Sequence, residues 1–178
     1  MGSVELNLAD SDSVVFDDTG RSPAFFCQTD SVAINQKLLE DLKENARRLG
    51  DRDVRICLHK TPLDPFHEMV NLQHRNKYHP PHKHPSNGES YHVLEGALAV
   101  FIFDDNGDVT ESILLKPEGN FLYRVPPIAF HFMMPVSDIA IYKESKPGPF
   151  RPNQDILSAP WAPDISDRGK LQAYGDKL

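Results

Sequence analysis

The chain has 178 residues, 39% hydrophobic and 25% charged, which excludes a disordered or fibrous polymer and points to one globular domain with extensions. Its 26 acidic residues against 19 basic ones give a formal net charge of −7, and no long basic run is present, so nucleic acid and anionic membrane are excluded as expected partners. No apolar run reaches membrane-spanning length, the acidic start lacks a signal peptide's regions, and Cys27 and Cys57 read as reduced thiols of a cytoplasmic protein.

Residues 1–30 are acidic and irregular; Val14–Phe16 and Ala24–Cys27 read either as short strands or as parts of a loosely held arm. A helix follows, capped by Ser31 or Asn35, with Leu38, Leu42, Ala46 and Leu49 on one stripe and Gly50 at its end. From Asp53 the pattern changes to period two. Val54, Ile56 and Leu58 share one face; Arg55, Cys57 and His59 share the other, which must meet water or a polar cavity. His67–His74 is a second strand, with His67, Met69 and Asn71 on one face. Further strands are expected at Glu89–Leu94, Ala97–Phe103, Val109–Leu115, Phe121–Val125, Ala129–Met134 and Ile139–Lys143, separated by turns such as Asn106-Gly107. That makes about eight short strands, the pattern of a sandwich or barrel. After Lys146 the chain is proline-rich, with Trp161 as a buried anchor and a short helix at Ser166–Tyr174. The expected layout is an arm and helix over residues 1–52, a barrel over 53–145, and a strap or dimer contact over 146–178.

Seven of the eight histidines lie between 59 and 92. His82 and His84 share parity, and a Ser-Asn-Gly turn brings Glu89 back beside them. Two imidazoles and a carboxylate suit Fe, Mn, Ni, Co, Cu or Zn. A fourth ligand must come from elsewhere, and His131 is the candidate. Parity sets Tyr78 with His82 and His84, sets Tyr91 with Glu89, and turns His92 away.

The run His82-x-His84-x4-Glu89-x6-Gly96, followed by Gly119, Pro126 and His131, resembles the paired motifs of the cupin superfamily. The second motif departs from that pattern: Gly119 to Pro126 is one residue longer, and Ile128 stands where glycine is common. Residues 32–145 more narrowly resemble the WbuC-type cupins, through Arg55-x-Cys57-Leu58-His59, His67-Glu68-Met69, Tyr78-x-x-Pro81-His82-Lys83-His84 and Glu89–Gly96. The resemblance implies a mainly β fold, a double-stranded β-helix or jelly-roll barrel, with His82, His84, Glu89 and His131 holding a divalent metal inside.

Three imidazoles and one carboxylate leave two positions of an octahedral ion open for a chelating substrate, or for substrate and dioxygen. Around them, Arg55 and His59 are expected to bind substrate; Tyr78, Tyr91 and His67 are expected to move or hold protons. The ligand set resembles that of cupin dioxygenases, so Fe(II)-dependent oxygenation of a small polar or anionic metabolite is the favoured reading. A lyase or isomerase with Ni, Mn or Zn, including one serving surface-polysaccharide synthesis, and a non-catalytic binding cupin are the alternatives. A homodimer formed through Phe130, Phe132, Met134 and the tail is expected.

Overall fold

The computed structural model describes residues 5–75, 77–164, 166–167 and 174. Strand β1 (Val14–Asp17) and β2 (Ala24–Cys27) form a hairpin, so the N-terminal arm is ordered sheet. Helix α1 (Gln36–Arg48) follows, with Asn35 as its cap: the Asn35 side chain accepts from the Leu38 amide at 2.9 Å. Gly50, at φ 78°, takes the left-handed turn after its last residues.

Next come β3 (Val54–Cys57), β4 (Phe66–His74), β5 (His82–Lys83), β6 (Glu89–Glu95), β7 (Leu98–Phe103) and β8 (Val109–Leu115). They are followed by β9 (Leu122–Val125), β10 (Phe130–Pro135), β11 (Ile139–Pro147), the short helix α2 (Pro152–Asp155) and β12 (Leu157–Ser158). The count exceeds the expected eight because Val14–Phe16 and Ala24–Cys27 take the strand alternative, as β1 and β2, and because β5 and β12, two residues each, owe their strand character to their partners. Most of a helix at Ser166–Tyr174 would lie outside the described residues.

The strands form a seven-stranded sheet, ordered β1-β2-β3-β4-β11-β6-β9, and a five-stranded sheet, ordered β12-β5-β10-β7-β8. Alternation along each strand assigns its two faces. On the larger sheet Val54, Ile56, Val70, Leu72 and Ile141 pack against Leu38, Leu39, Leu42 and Ala46 of α1. Burying each of those leucines stabilises the fold by about 1.5–3 kcal/mol. The opposite face looks into the barrel, where Tyr91, Val93 and Tyr142 meet Leu98, Val100 and Ile102 of the smaller sheet. Arg55 and Cys57 therefore face the interior, which settles the choice between water and a polar cavity.

The outer face of the smaller sheet carries Phe101, Phe103, Phe130 and Phe132, and the C-terminal strap covers it with Ala159, Trp161 and Tyr174. Phe130 and Phe132 are buried by the chain's own tail, so the face expected to form a dimer contact is filled within one chain. The strap is a strap, and it zips onto the barrel through β12, which pairs with β5.

Gly96 turns β6 into β7 at φ 74°, and an added Cβ would collide with the Ile139 carbonyl and with Ser137 Oγ at 2.5 Å. Gly96→Ala combines left-handed strain with a backbone clash and is expected to destabilise the protein by about 2–4 kcal/mol. A denaturant midpoint within error of wild type would contradict this reading of the turn.

Candidate metal centre

Two strands of the smaller sheet and one of the larger build the centre. β10 pairs antiparallel with β5, placing His131 directly opposite His82. Directly opposed residues point to the same face. Glu89 opens β6 on the facing sheet. His84 follows β5 and is held by the strap: its Nδ1 donates to the Asp155 carbonyl at 2.6 Å. His82 Nδ1 donates likewise to Pro80 O at 3.1 Å, and His131 Nδ1 to Ala129 O at 3.0 Å. A carbonyl only accepts, so each contact requires a proton on Nδ1 and leaves Nε2 as the ligating atom.

The donor atoms of His82, His84, Glu89 and His131 all lie within 4.8 Å of one another. His84 Nε2 is 3.2 Å from Glu89 Oε2, and His131 Nε2 is 2.7 Å from Glu89 Oε1. With the ring proton on Nδ1, each Nε2 turns a lone pair toward the carboxylate, and both nitrogens and Glu89 Oε2 are buried without a hydrogen-bond partner. Buried polar atoms that converge without satisfying each other fit a cation between them. Three nitrogens and one oxygen match a first-row divalent ion, and they differ from the thiolate-rich set of a closed structural zinc site.

The shifts of His82 and Glu89 support the same fit, whereas at His84 burial, which lowers the pKa, is outweighed by the Glu89 contact, which raises it. Burial, then the neighbouring His131, pushes His82 down to about 3, so its ring is neutral and ready to ligate. Burial would raise the Glu89 pKa, but contact with His131 and His84 and the charge of Lys146 hold it well below the carboxylate range. Tyr91 donates its hydroxyl to Glu89 Oε1 and stays protonated, because burial and the Glu89 charge push its pKa well up. Ile128, at the position where glycine is common in the resembling motif, still adopts φ 69° and donates its amide to His84 O at 3.2 Å. The turn keeps its left-handed form despite the β-branched side chain.

The centre opens on a cavity of about 460 Å³ whose lining includes His82, Glu89, Tyr91, Arg55, Asn71, Tyr142, Glu144 and Lys146. Lys146 Nζ lies 2.7 Å from Glu144 Oε1 and 3.7 Å from Glu89 Oε2; Asn71 donates to Glu144 Oε2 at 3.2 Å. Burial disfavours the ammonium, but Glu144 and Glu89 outweigh it and raise its pKa, so Lys146 is a fixed cation.

Of the residues expected around the metal, Arg55 and Tyr91 line the cavity. Tyr78 does not share their setting. It packs on Phe132, with ring centroids 5.8 Å apart, among the aromatic residues under the strap. The parity argument fails there because residues 77–81 are not strand and β5 is only two residues long, so alternation does not carry back from His82. His59 and His67 stack on each other at 4.0 Å and 7°. His92 points away from the donors and packs 5.5 Å from Phe121, as its parity requires. Glu144, Lys146 and the Asp155 carbonyl were not foreseen. The alternation Tyr142-x-Glu144-x-Lys146 was the available signal, hidden because β11 runs to Pro147, past the expected end at Lys143.

Burial, then the charge of His67, pushes His59 down to about 4 from its ordinary value of 6.5. Between those values the unfolded chain takes up a proton that the folded chain refuses, so stability falls as pH drops from 6.5 to 4. In chelator-treated protein, His59→Gln is expected to flatten this part of the urea-midpoint profile relative to wild type. Parallel profiles would show that His59 does not titrate this way.

Residues 34–115 match a family model described as a domain of unknown function (DUF6016). No curated protein matches. Among solved structures, the capsular polysaccharide assembling protein CapF from Staphylococcus aureus aligns with a TM-score of 0.53 at 14% identity, over 82% of this chain and 34% of CapF. A CapF structure with the inhibitor 3-isopropenyl-tropolone gives 0.50 at 19% identity, over 58% of this chain and 30% of that one. L-ribose isomerase from Cellulomonas parahominis, with L-psicose, gives 0.50 at 15% identity, over 62% of this chain and 70% of the isomerase. The chain spans about a third of the CapF length. At these identities the likeness establishes the fold: a mainly β cupin jelly roll. Among the described residues no helix is long and apolar enough to cross a membrane.

Proposed function

We propose that the protein is a metal-dependent enzyme acting on a small polar or anionic metabolite, with Fe(II)-dependent oxygenation as the favoured reaction. The observation that carries this reading is the convergence of His82, His84, Glu89 and His131 at the wall of a cavity of about 460 Å³. A cavity of that size suits a metabolite of modest size. Bound Fe(II) would supply redox chemistry with dioxygen. The chain's own residues would do the rest: Tyr91 holds Glu89, Lys146 balances the carboxylates, Arg55 presents a guanidinium to substrate, and the two sheets exclude bulk water.

A non-redox lyase or isomerase is the second reading, and the partly buried Glu144–Lys146 pair beside Glu89 favours it. A carboxylate and an ammonium fixed in one cavity suit proton transfer to and from a substrate. The resemblance to WbuC-type cupins, and the likeness to a capsular polysaccharide assembling protein and a sugar isomerase, make a carbohydrate substrate the natural first choice for this branch.

Oxygen uptake separates the two. Protein reconstituted with Fe(II) is incubated with a panel of small hydroxy, keto and sugar acids, in air and under nitrogen. Consumption of dioxygen together with substrate supports oxygenation. Turnover that is equal under nitrogen overturns it and supports the second reading. Substrate binding without turnover under either condition counts against both and leaves a binding protein.

A further inference from the structure

Two buried donors in the cavity have no acceptor: Arg55 Nε and Gln73 Nε2. Gln73 is 3% exposed, and its Oε1 accepts the Tyr142 hydroxyl at 3.2 Å, which orients the amide so that Nε2 is the atom left over. Lys146 is neutralised by Glu144 and Arg52 by Asp18, whereas Arg55 has no ion pair among the described residues. Native proteins rarely leave buried donors unpaired, and two in one cavity mark where a ligand's acceptors belong. Arg55 touches Cys57 but has no carboxylate partner among the described residues, and a guanidinium without a counter-charge sets the sign of that ligand and suits a planar or tetrahedral oxyanion.

The register sets this pair apart from the metal donors. Arg55 lies opposite Asn71, and Asn71 opposite Tyr142, so Arg55 and Gln73 sit toward the Tyr142 end of the sheet floor. Glu89 is on β6, three strands across from β3. Three strand spacings are about 14 Å, and Val93, in the row of Arg55 and Tyr142, lies four residues along β6 from Glu89, about 13 Å more, so the two backbones are roughly 19 Å apart and the long Arg55 side chain on the concave face shortens what a ligand must bridge. Asn71 and Glu144 lie on the floor between, as further partners for hydroxyl groups.

We infer that Arg55 and Gln73 form a distal subsite for the anionic end of an elongated, hydroxyl-rich substrate, a carboxylate- or phosphate-terminated chain whose other end reaches the metal. This rests on the metal-dependent reading and adds the substrate's shape and the position of its charge. Arg21, Asp53 and His79 also line the cavity.

Isothermal titration calorimetry on the full chain tests it in two states. Metal-free protein is titrated with inorganic phosphate and, separately, with formate, which distinguishes the two kinds of oxyanion. At least one is expected to bind with a single millimolar site. Arg55→Met should weaken it tenfold or more, Gln73→Leu about threefold, and Arg55→Lys should restore part of the loss. Arg52→Met, a surface cation, should leave it unchanged. Protein loaded with Co²⁺ is then titrated with D-glucarate, which has a carboxylate at each end, and D-gluconate, which has one. Glucarate is expected to bind at least tenfold more tightly, and Arg55→Met should erase that advantage in a variant whose melting curve shows it folded. Absence of phosphate and formate binding, binding indifferent to Arg55 and Gln73, or equal affinity for the two sugar acids overturns the subsite. Metal content measured on the same samples keeps the two readings apart: protein that binds phosphate through Arg55 but takes up no Co²⁺ loses the metal reading and keeps the subsite.

Discussion

Protein carrying Glu89→Gln is expected to lose its metal while keeping its fold. Glu89 is the one anionic donor of the set, and its side chain is 1% exposed. The substitution preserves shape and leaves an oxygen to accept the Tyr91 hydroxyl. It removes the charge that draws a divalent ion into a buried site. Loss of one charged ligand from four should lower affinity by 100-fold or more, comparable with or beyond the 10–100-fold lost when only an outer partner of a ligand is removed. Elemental analysis of protein purified without a chelating tag should fall from near one ion per chain to less than about a tenth of that. His84→Ala should behave similarly, since it removes an imidazole that the strap holds in place. Undiminished metal content in both variants would falsify the ligand set.

The largest change in stability is expected from Lys146→Met. The Lys146 side chain is 17% exposed, and its ammonium lies between the side chains of Glu144, 13% exposed, and Glu89, 1% exposed. Its removal leaves two carboxylates facing one another in a poorly solvated cavity. Breaking a buried charge network from one side costs about 3–5 kcal/mol, more than the net value of the pair itself. The double substitution Lys146→Met with Glu144→Gln removes one charge of each sign and is expected to recover more than half of that loss. Urea unfolding in the presence of chelator measures both. Saturating metal should narrow the gap between Lys146→Met and wild type, because a cation beside Glu89 takes over part of the ammonium's role. A loss below about 1 kcal/mol, or a double variant no better than the single one, would show that the network is already relaxed by solvent.

Several features were legible because they are written locally. The helix stripe at Leu38, Leu42 and Ala46, the cap at Asn35 and the two faces of Val54–Cys57 follow from periods of 3.6 and 2 and from turn chemistry. The metal donors were legible for a related reason. His82 and His84 are two residues apart, and a short turn returns Glu89, so three of the four ligands are set by a segment of eight residues. His131 was reached through resemblance to a known pair of motifs, and the structure places it opposite His82.

What the chain alone left open depends on which strands become neighbours. Whether Arg55 faces water or a cavity is decided by α1 covering the other side of its sheet. Tyr78 was misplaced because alternation needs a continuous strand, and Pro80 and Pro81 interrupt it. Glu144 and Lys146 became part of the site because β11 lies between β4 and β6, an order that no local pattern encodes. The aromatic face of β10 is covered by a segment about 30 residues further along, so its exposure could not be read from its own composition. By itself the sequence determined the helix, the strand faces and three metal donors, since these arise from residues close along the chain. Only the tertiary structure decided the cavity, the cations that line it and the strap that holds His84, because each arises from strand order and register between distant segments.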